Sequence, residues 1–255
     1  MSRLVALLLA LLALPAGAAE ERVIAALSQK AVGITATFTG SQIFVFGAVE
    51  RARLPDARDD ALSVIVTISG PRQAKVVRKK ERVFGLWINV ESVEIDEAPS
   101  FYAVAASGPL FEVLSHTEDL RHRISIERTM RVVGEAGAAA DPLEFQEAAI
   151  RLNRGAGVYS EAASGVEIIG RTLFQTSIDL PSNLVEGDYE ARVFLLRDRQ
   201  VLDRFATTLE VRKVGLERFL YTLAHEQSLL YGLLSVLVAL LAGWGASEAA
   251  RLLRR

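Results

Sequence analysis

The sequence predicts a mainly β protein: two immunoglobulin-like β-sandwich blocks, a helical connector between them, and one C-terminal transmembrane helix. Three observations predict it. Short runs rich in Val, Ile, Thr and Phe alternate with polar residues and recur between Gly, Pro, Asn and Asp turn signals. A middle stretch loses that alternation. Near the C-terminus, the 19 residues 228–246 carry no charge, and as a helix they cover roughly 28 Å, the depth of a bilayer core.

Taken in order, residues 1–18 read as a secretory signal peptide. Arg3 supplies the positive start, residues 4–14 are apolar, Pro15 breaks the run, and Ala16 and Ala18 occupy the small-residue positions of a cleavage site after Ala18 or Ala19. The first β block spans 19–107. Residues 31–50 read as two strands about a tight turn at Gly40 and Ser41, and a polar loop with Pro55, Asp56, Asp59 and Asp60 follows. Four more strands are expected at 61–69, 75–84, 86–94 and 100–106. The connector, 108–157, holds an Ala/Gly-rich loop from Gly134 and then a helix capped by Asp141 with Pro142 in its first turn. Phe145, Ala148, Ala149 and Leu152 form the apolar face of that helix. The second β block, 158–214, has strands at 166–169, 172–180, 188–196 and 201–212, with Asp198 and Arg199 as a two-residue hairpin loop that lacks the usual glycine. Residues 215–227 read as a juxtamembrane amphipathic helix with Phe219, Leu220 and Leu223 on its apolar face.

Residues 228–246 are the span. Tyr231 and Trp244 mark its two interfaces, and the tail 247–255, with Arg251, Arg254 and Arg255, stays in the cytoplasm. A cleaved signal and a C-terminal span put the middle of the chain outside the cytoplasm, on a single-pass anchor. The compartment expected is a bacterial periplasm, bounded by the inner membrane: there are no cysteines, and Asn89, Asn153 and Asn183 all fail the glycosylation pattern.

Composition removes several function classes. With 29 basic and 31 acidic residues the net charge is −2, which offers no electrostatic case for nucleic acid. The missing cysteines exclude disulfides, iron–sulfur clusters, thiolate zinc sites and cysteine nucleophiles. No phosphate loop, dinucleotide fingerprint, nucleophile elbow or His-Glu-x-x-His motif is present, so no catalytic residue, cofactor or metal ligand is assigned. His116 and His122, six residues apart, have the wrong interval to converge on a metal, and His225 sits just above the span as an interfacial polar residue. The acidic stretch Glu91, Glu94, Asp96 and Glu97 lacks a calcium-loop pattern.

Two patterns carry the candidate contacts. Arg78, Lys79, Lys80 and Arg82, followed by Phe84 and Trp87, could receive an anion, a lipid headgroup or an acidic partner surface; the plain alternative is a solvated edge strand whose lysines discourage sheet pairing. In the span, Ser235, Ala239 and Gly243 recur every four residues, with Gly232 and Ala246 close by, and line one face along which a second helix could approach.

The segments SGPRQAKVVRKKERVFGLWIN (69–89), APSFYAVAASGPL (98–110) and GLERFLYTLAHEQSLLYGLL (215–234) resemble the "putative transmembrane protein" family of alphaproteobacteria. The resemblance covers nearly the whole mature chain. It implies a bacterial, single-span protein with a periplasmic ectodomain, lends no catalytic residue, and suggests a permease of the sulfite-exporter type as partner. The function expected is therefore a non-enzymatic accessory or interaction subunit of an inner-membrane complex. A membrane-anchored ligand-binding or envelope-sensing protein is the alternative, and a tethered hydrolase the third class.

Overall fold

The computed structural model describes residues 21–51, 62–132, 141–215, 221 and 223–253. The expected signal peptide, the loop at residues 55–60, the Ala/Gly-rich stretch from Gly134, Phe219 and Leu220 of the juxtamembrane helix, and Arg254 and Arg255 lie outside the described residues.

The chain runs through β1 (Arg22–Leu27), β2 (Ala31–Ile34), β3 (Ser41–Glu50), β4 (Ser63–Ser69), β5 (Arg72–Val83), β6 (Leu86–Pro99) and β7 (Tyr102–Ala106). Next come α1 (Leu110–Val113), α2 (His116–His122), α3 (Ile126–Thr129), β8 (Arg131–Val132) and α4 (Pro142–Gly155). The last elements are β9 (Tyr159–Ala162), β10 (Val166–Ile169), β11 (Leu173–Leu180), β12 (Gly187–Arg197), β13 (Gln200–Lys213) and α5 (Ser228–Leu253).

The protein is mainly β, as the alternation predicts, but the two blocks do not each fold on themselves. A four-stranded sheet has the order β1-β3-β11-β10 and a six-stranded sheet the order β2-β13-β12-β4-β7-β9, so each draws strands from both blocks. The strands of the two expected blocks are thus shared between these two sheets. A second block of four or five short strands could bury too little apolar surface to stand alone. Zipping β3 to β11 and β4 to β12 lets both halves fill one core. The turn at Gly40 is also not a hairpin: β2 leaves to pair in parallel with β13, whereas β3 pairs with β1 and β11.

Local pattern explains the layers. In β11 every second residue is buried, Phe174, Thr176, Ile178 and Leu180, because only its inner face meets the core. In β4 the run from Val64 to Ile68 is buried throughout, since the six-stranded sheet is covered on both faces. The four-stranded sheet covers one face. The segment of α1 to α3 covers the other, contributing Leu114 and Ile124 from the turns that follow α1 and α2, and Ile126 from α3, to the same core.

Asp141 caps α4 by accepting from the Leu143 amide at 3.0 Å, with Pro142 in the first turn, as the sequence predicts. Asp198 and Arg199 both have positive φ, 49° and 66°, which is the turn expected between β12 and β13 even without glycine.

Candidate functional site

The residues that stand out for recognition are carried on a long hairpin. Beyond Ser69 the β4–β7 ladder does not stop: the Gly70 amide donates to the Phe101 carbonyl at 2.8 Å, and the Ser100 amide donates to the Pro71 carbonyl at 2.9 Å. β5 and β6 then continue the same two chains outward as an antiparallel ribbon. Its stem is braced. Lys75 donates to Asn153 at 3.2 Å and Lys79 meets Glu144 at 2.9 Å, both on α4, while β8 pairs with β6 at Ile95 and Glu97.

Past that stem the ribbon ends in an apolar tip. Phe84 is fully exposed, Leu86 and Trp87 are about 70% exposed, and Ile88 and Val90 are exposed to lesser degrees. The turn itself has positive φ at Phe84 (49°) and Gly85 (86°). Glycine accommodates this freely, whereas a phenylalanine there costs about 1 kcal/mol and in return packs against nothing in the fold.

The four sequence-predicted cations are not equivalent. Lys79 is committed to Glu144, whose hydrogen bond and charge hold its ammonium pKa above the usual lysine value. Alternation puts Arg78, Lys80 and Arg82 together on the other face of β5, all exposed, with Ser92, Asn89 and Trp87 as their cross-strand partners. The Arg82 Nε also donates to the Gly85 carbonyl at 3.4 Å. Two residues of the acidic stretch of β6 face basic neighbours: Glu91 lies opposite Lys79, and Glu97 pairs with Arg72 at 3.2 Å, whereas Glu94 lies opposite Val76.

A second surface was not anticipated from the sequence. The outer face of the four-stranded sheet carries Ile24, Phe44, Phe46, Ile169 and Leu173, each roughly half exposed, with Ala26 and Ala48 between them. Gln42–Asp179 and Gln175–Glu167 hydrogen bonds flank this patch. The signal available was the second phase of the alternation in FVF, where Phe44 and Phe46 occupy the positions that a solvated sheet usually gives to polar residues.

A third feature is a polar cleft of about 320 Å3 lined by Arg72, Arg121, Arg123, Arg192, Arg204 and His122, together with Asp188 and Glu190. These residues are scattered over the chain, so no local motif announces them. Arg192 is spoken for: it donates to the His122 carbonyl (2.9 Å), the Arg123 carbonyl (3.2 Å), Thr67 (3.2 Å) and the Tyr102 hydroxyl (3.2 Å). His116 and His122 sit at opposite ends of α2, and His122 faces Glu118 at 3.3 Å. Among the described residues no group of three or more His, Asp or Glu gathers as a metal site.

The C-terminal helix α5 contains one segment able to cross a membrane, Ser228–Ser247, with mean hydropathy 2.0 and no residue buried against the rest of the chain. Tyr221 and His225 stack at 4.1 Å just before it. Within it the Ser235 hydroxyl donates to the Gly232 carbonyl at 2.8 Å, which satisfies that polar group inside the helix. A Cβ added at Gly232 or Gly243 would meet nothing, so the face shared by Ser235, Ala239 and Gly243 is open.

A family model described as putative transmembrane protein (Alph_Pro_TM) matches residues 22–252, from β1 to the end of the membrane helix. No curated protein matches the chain.

Proposed function

The chain belongs to the "putative transmembrane protein" family of alphaproteobacteria, and from that premise we propose that it is a non-enzymatic accessory subunit of an inner-membrane complex, its β body held at the periplasmic surface. The observation that carries this reading is the outer face of the four-stranded sheet. Ile24, Phe44, Phe46, Ile169 and Leu173 form one contiguous apolar area on a body tethered to a bilayer, the type of surface that marks a protein–protein contact. Its partner is an integral membrane protein, and the family resemblance points to a small-anion permease of the sulfite-exporter type. The face of Ser235, Ala239 and Gly243 would then supply the contact within the bilayer, where close packing of small residues drives helix association.

A photocrosslinking residue at Phe46 should capture one membrane protein, and Ala239→Leu should reduce that capture while leaving membrane insertion intact. Leu237→Ala, which leaves the small-residue face unchanged, should have no effect. Capture of nothing from Phe46 in native membranes would sink the reading.

A second reading, binding of a small anionic ligand, is favoured by the arginine-lined cleft. Loss of function on replacing Arg123 and Arg204, with full partner capture retained, would select it.

A further inference from the structure

We propose that the β5–β6 hairpin is a second membrane contact: its apolar tip seats in the interface of an anionic bilayer, with Arg78, Lys80 and Arg82 on the lipid phosphates. Direction is the first ground. β4 and β13 both run antiparallel to β12, so they point the same way. At the end they share, β13 leaves for the membrane helix and β4 passes through Gly70 and Pro71 into the hairpin. Gly187, opposite Val211 of β13, lies so close to Pro71 that an added Cβ would be 2.9 Å from its ring. Tether and hairpin therefore spring from the same end of the six-stranded sheet.

Reach is the second ground. The strand Arg72–Val83 extends roughly 40 Å. Residues 214–227, which join β13 to the span, cover about 21 Å as helix and at most about 50 Å fully extended, so the two reaches overlap.

Chemistry is the third. Phe84, Leu86, Trp87 and Ile88 are consecutive but for Gly85, they are exposed, and α4 and β8 brace only the stem behind them. A ring such as Trp87, apolar with one N–H, suits the headgroup level of a bilayer. Arg82 lies directly across from Trp87, with Lys80 and Arg78 stepping back along the same face, while alternation turns the intervening Glu81 to the other face. Cations behind an apolar tip are what an anionic lipid surface attracts, and long basic stems can lie along the acyl boundary with their charges at the phosphates.

The test uses the full chain with Trp244→Phe, which leaves Trp87 as its one tryptophan. In vesicles of phosphatidylcholine mixed with phosphatidylglycerol, acyl-chain bromine should quench Trp87 emission, and aqueous acrylamide should quench it about threefold less than in the variant Phe84→Ser/Leu86→Ser. Arg78→Gln/Lys80→Gln/Arg82→Gln should lose most of that threefold protection in the anionic vesicles and little in phosphatidylcholine alone. Thermal unfolding of each variant should match the parent, because the changed side chains are exposed. Trp87 open to acrylamide and untouched by bromolipid overturns the proposal. So does a photocrosslinker replacing Trp87 that marks a protein in native membranes and no lipid, an outcome that would give the tip to a protein partner.

Discussion

Arg192 on β12 and Tyr102 on β7 meet beneath the C-terminus of α2, the guanidinium donating to the phenol oxygen at 3.2 Å. Both then serve the same loose end. Tyr102 donates to the Ile124 carbonyl at 2.8 Å, and Arg192 donates to the carbonyls of His122 and Arg123. Helix C-termini leave carbonyls unpaired, and here the sheet supplies the donors. The phenol is buried, and burial pushes its pKa up to about 12, so it remains a donor over the whole physiological range.

This knot predicts a graded loss of stability. Tyr102→Phe should cost about 1 kcal/mol, and Arg192→Met about 2 to 3 kcal/mol, because the second leaves several carbonyls without donors. Arg192→Lys should recover only part, since an ammonium cannot span the same fork of acceptors. Urea unfolding of the full chain in detergent measures all three; an Arg192→Met protein as stable as the parent would show the knot to be dispensable.

Glu21, at the entrance to β1, lies between Arg197 (2.8 Å) and Arg51 (3.4 Å), with the three side chains 15%, 31% and 9% exposed. Removing the carboxylate would leave two guanidiniums facing each other in a sheltered site. Glu21→Ala should therefore destabilise by about 3 kcal/mol, and Glu21→Gln by a smaller amount. A double variant, Glu21→Ala/Arg51→Met, should regain part of the loss in thermal unfolding.

His122 predicts a pH dependence of defined sign. Burial is the main cause of its lowered pKa; Glu118 opposes the shift, and the charges of Arg204 and Arg121 add to it. In the window from 6.5 down to its native value, the unfolded chain binds more protons than the native one, so stability contributed by neutral His122 is lost as pH falls. Glu161, whose carboxyl pKa is raised by burial, works in the opposite direction at lower pH. The melting temperature should thus fall from pH 7.5 to pH 5.5 more steeply in the parent than in His122→Gln. Equal slopes would remove His122 from the account.

The sequence by itself determined what depends on near neighbours and on transfer from water. Alternation in FQTSIDL placed β11, Asp141 with Pro142 placed the start of α4, Asp198 and Arg199 placed a hairpin turn, and an uncharged stretch placed the membrane helix. A strand's period shows that it has a buried face, but not which strand lies beside it. Only the tertiary structure decided that β3 pairs with β11, that β4 runs on into the hairpin, and that Lys79 is taken by Glu144 while Arg78, Lys80 and Arg82 stay exposed. The apolar outer face needed it too, because Phe46 joins Ile169 and Leu173 only across that pairing. The physical reason is separation along the chain. Closing loops of more than a hundred residues adds little entropy cost beyond closing shorter ones, so the partner is chosen by how well all the strands together fill one core, and no local window contains that information.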